Sequence, residues 1–348
     1  MESPIKEDIR ALSLEQLESY FKSIGEKSFR AKQAYKWIWQ KSVVSFSEMT
    51  NLSKTIREDL DKNFKINNAL VNFHKRSKDG TIKNSIKLHD GLFIESVLIP
   101  TKSRITVCVS SQVGCSLNCK FCATSLLKRM RNLSADEIYD QVVLMNKQSI
   151  AYYKKSLTNI VFMGMGEPLM NYKNVIMAIN KITQSEGLAM SAKRITLSTS
   201  GIPKMIKKMA DDNVKFGLAV SLHSASQSIR EKIMPFSKNF PLNELKDSLE
   251  YWYKKTKLPV TLEYIVWKGI NDDKDDILSL ISFCNKIPSK VNLIEYNAIG
   301  NPNFVQALNS KIMEYKNELE KANITVTVRS SRGKDINAAC GQLANKSN

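Results

Sequence analysis

The sequence predicts an α/β fold in which a small N-terminal domain precedes a larger domain built on a parallel sheet. Apolar runs of strand length alternate with helix-length segments from Arg104 onward, and six helices fit between the strands. Repeated βα units of this kind form a parallel sheet with right-handed crossovers. Six units are too few for a closed eight-stranded barrel. We therefore expect an open barrel over residues 101–348, after a domain boundary near residue 100.

Residues 1–100 are predicted to form helices up to about residue 65 and β-hairpins after it. Ser13 and Gln16 have the spacing of a capping box. The later β-type runs are broken at Asp79-Gly80 and Asp90-Gly91, which are favoured hairpin turns. The helical part also interleaves the aromatic and basic residues Phe29, Arg30, Lys32, Tyr35, Lys36, Trp37 and Trp39. RNA binding through stacking and phosphate contacts is one interpretation, and burial of the aromatic residues in a core is the other.

The larger domain should begin with a strand and then alternate strands with helices. The predicted strands are Arg104–Val109, Thr158–Met163, Arg194–Thr199, Lys215–Leu222, Val260–Trp267, Val291–Asn297 and Ile324–Arg329. The predicted helices begin at Ser134, where Glu137 completes a capping box, and then cover Asn171–Ser185, Pro203–Asp211, Leu242–Lys255, Asp273–Asn285 and Asn303–Lys321. Ligands bind at the carboxyl ends of the strands in folds of this kind.

Composition indicates a polyanionic partner and a reducing compartment. The chain has 52 Lys and Arg residues against 34 Asp and Glu, a formal net charge of +18. RNA fits such a surface, although a generically basic cytosolic protein is the alternative. Since no run approaches about 18 apolar residues, no membrane span is expected. The polar first residues and the six cysteines in 348 residues favour the cytoplasm over a disulfide-bonded secreted protein.

Three cysteines fall within eight residues, at the spacing Cys115-x3-Cys119-x2-Cys122. Closely spaced cysteines in one loop are typical ligands of iron–sulfur clusters. Three ligands leave one coordination position open for a bound molecule, whereas a structural zinc site usually has four ligands. No further Cys or His adjoins the loop, because His89 and Cys108 precede it and the next His is His223. Zinc binding and inert cysteines stay open as alternatives.

Further motifs accompany this loop in a fixed order. They are Val107–Cys115, Phe162–Pro168, Ser198–Gly201, Ser221–His223 and Ala338–Leu343. Together they resemble the RlmN family of radical S-adenosylmethionine (SAM) enzymes, which methylate carbon 2 of adenine in 23S rRNA and, next to the anticodon, in tRNA. The resemblance covers roughly residues 93–343. It implies an α/β fold with a partial (β/α)6 radical SAM barrel.

The resemblance also implies the cofactors and the residues that hold them. One [4Fe-4S] cluster would be bound by Cys115, Cys119 and Cys122, with SAM on the open iron. The SAM pocket would contain Gly166, Glu167, Ser198, Ser221, Leu222, His223 and Asn297. From the residues alone, Glu167 can accept from an ammonium or hydroxyl group, Gly164-Met165-Gly166 is equally typical of a tight turn, and His223 is more often a core histidine.

Three residues outside the loop receive catalytic roles from the same resemblance. Cys340 would be methylated by one SAM, and a radical from a second SAM would activate that methyl group for addition to adenine. Cys108 would release the product by forming a disulfide with Cys340, and Glu95 would accept a proton. Without the resemblance, Cys108 would be interpreted as a small core residue and Glu95 as a solvated strand residue. Cys284 has no motif and is expected in the core.

The implied partners are 23S rRNA, tRNA and an electron donor such as flavodoxin or ferredoxin, with the protein as a monomer. A Cfr-like enzyme that methylates carbon 8 of adenine shares the cysteine framework, although Gly166-Glu167-Pro168 favours RlmN. A non-catalytic RNA-binding protein with a closed metal site is a third hypothesis. The chain departs from the family pattern Ala-Thr-Gly-x-x-Gly-Phe after Cys122, where Ser125, Lys128 and Arg129 replace the glycines and the aromatic residue.

Overall fold

The N-terminal part of the molecule is helical. The computed structural model describes residues 6–345, so residues 1–5 of the polar N-terminal segment lie outside the described residues. The helices of this part are α1 (Leu14–Ser23), α2 (Ser28–Trp39) and α3 (Lys54–Asn63). The short strands β1 (Glu7–Asp8) and β2 (Phe64–Lys65) pair in parallel and bring the two ends of this part together. The capping box of α1 is confirmed, because Gln16 N donates to Ser13 Oγ (3.2 Å) and Ser13 N donates to Gln16 Oε1 (2.7 Å).

The aromatic residues of α2 divide between core and surface. Tyr35 and Trp39 are buried, whereas Phe29 is 47% exposed. Trp37 is half-buried, with Lys41 Nζ 3.5 Å from its ring centroid. Burial removes Tyr35 and Trp39 from the candidate stacking residues and leaves Phe29 and Trp37.

One ten-stranded sheet runs through the rest of the molecule. The strands that follow β2 are β3 (Leu70–Arg76), β4 (Ile82–Lys87), β5 (Phe93–Pro100), β6 (Ile105–Cys108), β7 (Gln112–Val113), β8 (Arg131–Asn132), β9 (Asn159–Phe162), β10 (Ile195–Thr199), β11 (Gly217–Ser221), β12 (Val260–Tyr264), β13 (Ser289–Ile294) and β14 (Thr325–Arg329). The sheet order is β14-β13-β12-β11-β10-β9-β6-β5-β4-β3, and β7 pairs with β8 separately. Each pair of adjacent strands between β6 and β14 in this order is parallel, so the predicted partial barrel is confirmed.

The predicted hairpins extend this same sheet instead of forming a detached one. β3, β4 and β5 are antiparallel to one another, and β5 is antiparallel to β6. The predicted turns at Asp79-Gly80 and Asp90-Gly91 join them, with Gly80 and Gly91 at positive φ (89° and 85°). The sheet is therefore continuous across residue 100, where the domain boundary is predicted.

The helices of the barrel lie between its parallel strands. They are α4 (Ala135–Tyr153), α5 (Tyr172–Thr183), α6 (Pro203–Asp211), α7 (Gln227–Ile233), α8 (Leu242–Thr256), α9 (Lys274–Cys284) and α10 (Asn309–Lys321). The sequence did not predict α7, and α10 begins at Asn309 instead of Asn303. The residues before α10 are held as a loop, because Ala307 N donates to Val266 O (3.1 Å) and Gln306 bridges to Trp267. Within residues 6–345, no helix combines the length and the apolar character needed to cross a membrane.

A buried network of charges fixes the N-terminal part onto α4. Arg10 Nη1 donates to Asp140 Oδ1 (2.8 Å), and Arg10 Nη2 lies 3.1 Å from Asp136 Oδ2 and 3.4 Å from Asp8 Oδ2. The Arg10 side chain is only 4% exposed. Asp140 also accepts from Ala69 N (3.1 Å), just before β3. The segment before α1, helix α4 and the start of β3 therefore meet at one guanidinium.

Arg10→Met should lower the free energy of unfolding by about 3–5 kcal/mol, because it leaves Asp136 and Asp140 as buried carboxylates without their cation. Urea-induced unfolding followed by circular dichroism measures the change. Lys54→Met is the matched control: Lys54 and Glu58 form an exposed pair (3.7 Å), whose loss should cost less than about 1 kcal/mol. Equal losses in the two variants would contradict a special role for the buried network.

Candidate active site

The three clustered cysteines lie in one loop at the carboxyl end of β6. The ladder between β7 and β8 closes this loop, so residues 114–130 leave and return at the same place. Gly114 (φ 76°) permits the closure, because a Cβ at this position would lie 2.3 Å from the carbonyl oxygen of Lys128. The loop, here called the cysteine loop, presents Cys115, Cys119 and Cys122.

The thiols of the cysteine loop are close enough to influence one another. Burial raises the pKa of Cys115 to about 11, and the neighbouring Cys122 thiolate adds to the shift. Burial also raises the pKa of Cys119 well above its ordinary value, with smaller contributions from Cys122 and Cys115. Within residues 6–345, no three His, Cys, Asp or Glu side chains form a group around a single metal ion. Three thiols on one loop instead suit a cluster of several irons, and metal coordination would deprotonate them.

The segment after Cys122 binds the C-terminal part of the chain. It forms a 3-10 turn over Ala123–Leu126. Ala123 N donates to Gly341 O (2.7 Å), and Thr124 Oγ1 donates to Leu343 O (2.7 Å). These bonds bring Cys340 near Cys122: burial, and then the charge of Cys122, raise the pKa of Cys340 to about 12.

The unusual Ser125 makes a defined contact in this turn. Its Oγ accepts from Cys119 N (3.2 Å), and its own N donates to Cys122 O (3.1 Å). Glycine at this position could not make the first bond. The departure from the family pattern therefore adds a link between two of the clustered cysteines, while Lys128 and Arg129 are exposed.

Cys108 and Cys340, which the family resemblance pairs, are free thiols close enough for the charge of one to act on the other. Cys108 ends β6 and is buried, and burial followed by the charge of Cys340 raises its pKa to about 12. Cys340 is exposed to solvent, yet the protein surrounds its thiol so closely that burial dominates its raised pKa.

Asn297 and Glu95 hold the segment around Cys340. Asn297 Nδ2 donates to Cys340 O (3.3 Å), from a loop after β13, and not from the strand end that was predicted. Glu95 is buried on β5 and accepts from Ala344 N (2.8 Å). Its other carboxylate oxygen lies 2.8 Å from Lys83 Nζ. Glu95 is therefore a buried member of an ion pair, and the interpretation as a solvated strand residue is wrong.

The Glu167 carboxylate accepts its hydrogen bonds from donors of the protein itself. Its Oε1 accepts from Leu169 N (3.0 Å) and Thr199 Oγ1 (2.8 Å), and its Oε2 accepts from Ser200 N (2.8 Å) and Ser200 Oγ (2.6 Å). Burial raises the pKa of Glu167 in spite of these four donors. A carboxylate has about four acceptor sites, so no capacity is left for the ammonium or hydroxyl of a ligand. Glu167 instead ties the carboxyl ends of β9 and β10 together.

Gly166 allows the segment after β9 to pack closely against β7, directly before the cysteine loop. A Cβ at Gly166 (φ 95°) would lie 2.5 Å from Gln112 Cβ. Gln112 Oε1 accepts from Glu167 N (2.9 Å), and Ser111 N donates to Met165 O (2.9 Å). The Gly-Met-Gly segment is therefore a close backbone contact and more than an ordinary turn.

The other predicted pocket residues lie at the ends of β10 and β11. Ser198 is buried near the end of β10, and Ser221, which ends β11, is half-buried. Leu222 is fully buried, its N donates to Glu263 O (3.1 Å), and its O accepts from Ser224 N (2.7 Å). His223 Nδ1 accepts from Ile265 N (3.3 Å), and its ring meets the edge of Phe121 of the cysteine loop (centroids 4.8 Å apart).

The electrostatics keep His223 neutral. Burial, and secondly the Arg230 cation, lower its pKa to about 3. Because Nδ1 accepts a hydrogen bond, the proton of the neutral ring lies on Nε2. His223 can therefore donate one hydrogen bond from Nε2 but carries no charge at neutral pH.

Arg230, on the unpredicted helix α7, is a buried cation next to the cysteine loop. Its Nη2 donates to Ser200 O (2.6 Å), and its Nε has no partner among the described residues. Burial lowers its pKa to about 10, and the charge that opposes this effect is that of Cys119. A buried guanidinium is costly without an anion. The thiolates of a bound iron–sulfur cluster fit this need, so the donor set and its surroundings suit the cofactor.

Arg230 was missed because a single Arg among Gln, Ser, Glu and Lys resembles an exposed helix. Ile229 and Ile233 flank it in the sequence, and the pattern of one Arg between apolar residues at helical spacing was the available signal. The helix contacts the cysteine loop directly, because Lys120 N donates to Ile233 O (2.9 Å).

Family models and a solved structure match this architecture. Residues 8–66 match the ribosomal RNA large subunit methyltransferase N-terminal domain, and residues 109–281 match the radical SAM superfamily. The crystal structure of a radical SAM methyltransferase from Sphaerobacter thermophilus has a TM-score of 0.91 at 36% identity, covering 97% of this chain and 99% of that chain. The cofactors of this enzyme are accordingly a [4Fe-4S] cluster and SAM.

Curated relatives match over almost the whole chain. A probable dual-specificity RNA methyltransferase RlmN of Flavobacterium johnsoniae is 62% identical over 341 residues, which is 98% of each protein. The equivalent protein of Christiangramia forsetii is 62% identical over 342 residues, 98% of this chain and 97% of its own. The dual-specificity RNA methyltransferase RlmN of Geotalea uraniireducens is 42% identical over 339 residues, 97% and 96%. The matches cover the helical N-terminal part and the barrel alike, and the chain belongs to the RlmN family of radical SAM RNA methyltransferases.

Proposed function

We propose that this enzyme methylates carbon 2 of a specific adenine in 23S rRNA and in tRNA, there next to the anticodon, with two SAM molecules for each methyl group. The observation that supports this most is the position of Cys340, an accessible thiol near both Cys108 and the cysteine loop. Carbon 2 of adenine lies between two ring nitrogens and is electrophilic, so the methyl cation donor SAM cannot methylate it directly. A methyl group held on Cys340 and activated as a radical removes that difficulty.

The cofactors would be held at the carboxyl ends of the barrel strands. Cys115, Cys119 and Cys122 are the proposed cluster ligands. The cluster supplies the electron that cleaves SAM into methionine and a 5′-deoxyadenosyl radical. The proposed SAM pocket contains Gly166, Glu167, Ser198, Ser221, Leu222, His223 and Asn297. In this pocket Glu167 shapes the strand ends, while Nε2 of the neutral His223 is a hydrogen-bond donor.

Cys340 and Cys108 would carry the methyl transfer. Cys340 loses its proton and takes a methyl group from the first SAM, which leaves as S-adenosylhomocysteine. The radical from the second SAM removes one hydrogen atom from this methyl group, whose carbon then bonds to carbon 2 of adenine. The adduct would return one electron to the oxidised cluster, and the carbon-2 proton would pass to Glu95. The Cys108 thiolate attacks the Cys340 sulfur, so a disulfide forms, the carbon–sulfur bond breaks, and the released carbon takes up a proton to become the methyl group. An external reductant then supplies the two electrons that return the disulfide to two thiols.

Residues 1–100 would be the RNA-binding accessory domain, and residues 101–348 would be the methyltransferase core. The protein would work as a monomer in the cytoplasm. All six cysteines are free thiols, which suits a reducing compartment. A net charge of +18 favours encounter with an acidic electron donor such as flavodoxin or ferredoxin. Light scattering after size exclusion tests the monomer.

The decisive test of this function is an anaerobic reaction of the iron-reconstituted protein with SAM, a reductant and an rRNA fragment. Mass spectrometry of the digested RNA should find 2-methyladenosine. Finding 8-methyladenosine would instead assign the chain to the Cfr-like activity. SAM cleavage by an intact cluster without any methylated adenine would contradict the proposed substrate.

Cys340→Ala should abolish methylated RNA, because it removes the atom that carries the methyl group. Cys108→Ala should instead accumulate a covalent protein–RNA complex, because the thiol that releases the product is missing. Denaturing gel electrophoresis with labelled RNA separates the two outcomes. Cys284→Ala is the matched control, since Cys284 is a buried thiol of α9, and it should keep turnover. A Cys108→Ala variant that releases product at the normal rate would refute its assigned role.

Arg230→Met should make the midpoint potential of the reconstituted cluster more negative. The reduced cluster carries one more negative charge, and the variant removes a buried cation that stabilises it. A redox titration monitored by electron paramagnetic resonance measures the potential without any RNA. Lys232→Met, which removes an exposed cation from the same helix, should leave it almost unchanged. An unaltered potential in Arg230→Met would show that Arg230 acts only as a structural residue.

A further inference from the structure

The sheet face that carries the proposed chemistry continues beyond the barrel. Residues paired directly across antiparallel strands point their side chains to the same face, and so do alternate residues of one strand. Cys108 pairs with Val97, which lies two residues from Glu95, and Glu95 pairs with Ser85. Cys108, Glu95 and Ser85 therefore share one face of the sheet, called the inner face here.

The register extends the inner face to the edge strand β3. Ser85 pairs with Phe73, Lys83 with Lys75, and Lys87 with Leu70. Of these side chains, Phe73 is 45% and Leu70 59% exposed, and Lys75 and Lys87 are exposed as well. Three inter-strand steps of about 4.8 Å, roughly 14 Å in all, separate β3 from β6. The open part of the inner face thus carries an exposed aromatic ring and exposed lysines on β3 and β4, whereas Glu95 and Val97 on β5, each 1% exposed, separate it from Cys108.

The lysines of the inner face are not equivalent. Lys83 is engaged, with Glu95 at 2.8 Å and the carbonyl of Asn337 at 3.1 Å. Lys75 and Lys87 form no ion pair with any Asp or Glu of residues 6–345, and Lys75 Nζ lies 5.7 Å from the centroid of the Phe73 ring. The open part of the inner face therefore offers two free cations around one open ring.

The opposite face of β3 is turned toward α4, although His74 and Arg76 are themselves exposed. His74 Nε2 lies 2.9 Å from the Tyr152 hydroxyl of α4, and the Arg76 guanidinium lies 5.4 Å from the Tyr152 ring. Adjacent residues of one strand thus meet different surroundings. Arg76 packs against the helix, whereas Lys75 lies on the inner face.

We propose that the inner face of β3 and β4 binds the unpaired RNA strand next to the target adenine, with a base stacked on Phe73 and phosphates on Lys75 and Lys87. An exposed ring between free cations matches single-stranded RNA, whose bases can leave their stack and whose backbone supplies the anions. An acidic protein would use the charges but not the ring. This inference rests on the proposed function, because that function puts the adenine at Cys340.

The test compares charge reversals at neighbouring positions of one strand. Lys75→Glu and Arg76→Glu change the net charge equally but on opposite faces. Fluorescence anisotropy with a labelled RNA hairpin that contains an unpaired adenine measures the dissociation constant of the intact protein at several salt concentrations. Lys75→Glu and Lys87→Glu should each weaken binding at least about fivefold and reduce the salt slope by about 0.7–0.9 for each lost phosphate contact. Phe73→Ala should weaken binding about tenfold with an unchanged slope, and Arg76→Glu should stay within about twofold of the parent protein.

Equal losses in Lys75→Glu and Arg76→Glu would overturn the proposal, since they would reflect net charge alone. So would unchanged RNA binding together with weaker reduction by an acidic donor, which would assign the face to that protein. The methylated nucleoside made by the parent protein is analysed in parallel. If the face-specific losses appear but no 2-methyladenosine forms, the RNA surface stands and the proposed function fails; the reverse result refutes the surface alone.

Discussion

Backbone hydrogen bonds between the cysteine loop and the last residues of the chain determine where the reactive groups lie. Ala123 and Thr124, directly after Cys122, bind the carbonyl oxygens of Gly341 and Leu343. Glu95 binds the next residue, Ala344, from the other side. Without this docking, Cys340 would belong to a peripheral loop. With it, a thiol distant in sequence lies near both Cys108 and Cys122.

Burial sets the electrostatics of the site more than charge pairing does. Burial raises the pKa of Cys115 and Cys119, lowers the pKa of His223 and so keeps it neutral, and surrounds Glu167 with four protein donors. Arg230 is the exception, a buried cation opposed by the charge of Cys119. Electrostatic interactions are stronger in a site of low polarity, including those of any charge that a cofactor brings into it. The surroundings of the cysteine loop are therefore arranged for a bound anionic group.

Local patterns predicted most of the secondary structure, because each βα unit carries its own signals. The capping residues Ser13 and Ser134 and the turns at Gly80 and Gly91 are properties of a few adjacent residues. Helix α7 escaped because seven mostly polar residues give too short a pattern. The joining of the hairpins to β6 could not be predicted, since strand pairing depends on residues that are remote in sequence.

For the site as well, neighbouring residues in the sequence predict some features, and residues remote in sequence determine the others. The spacing of Cys115, Cys119 and Cys122 identifies the loop by itself. The closeness of Cys108 and Cys340 came only from the resemblance, because no spacing connects them. Arg230 had only the weak signal of its position between Ile229 and Ile233, and nothing in the sequence pairs Lys83 with Glu95. Their importance arises from burial and from neighbours that only the fold supplies.

Gly341, Leu343 and Ala344 bind partners that are remote from them in sequence, and Ala344 lies 249 positions after Glu95. Contacts of such long sequence separation require the entropy of a large loop to be lost before they form. The turns of the cysteine loop, in contrast, join residues only a few positions apart, such as Ser125 N and Cys122 O. The segment around Cys340 should therefore reach its native position late in folding, after the cysteine loop has formed its own turns.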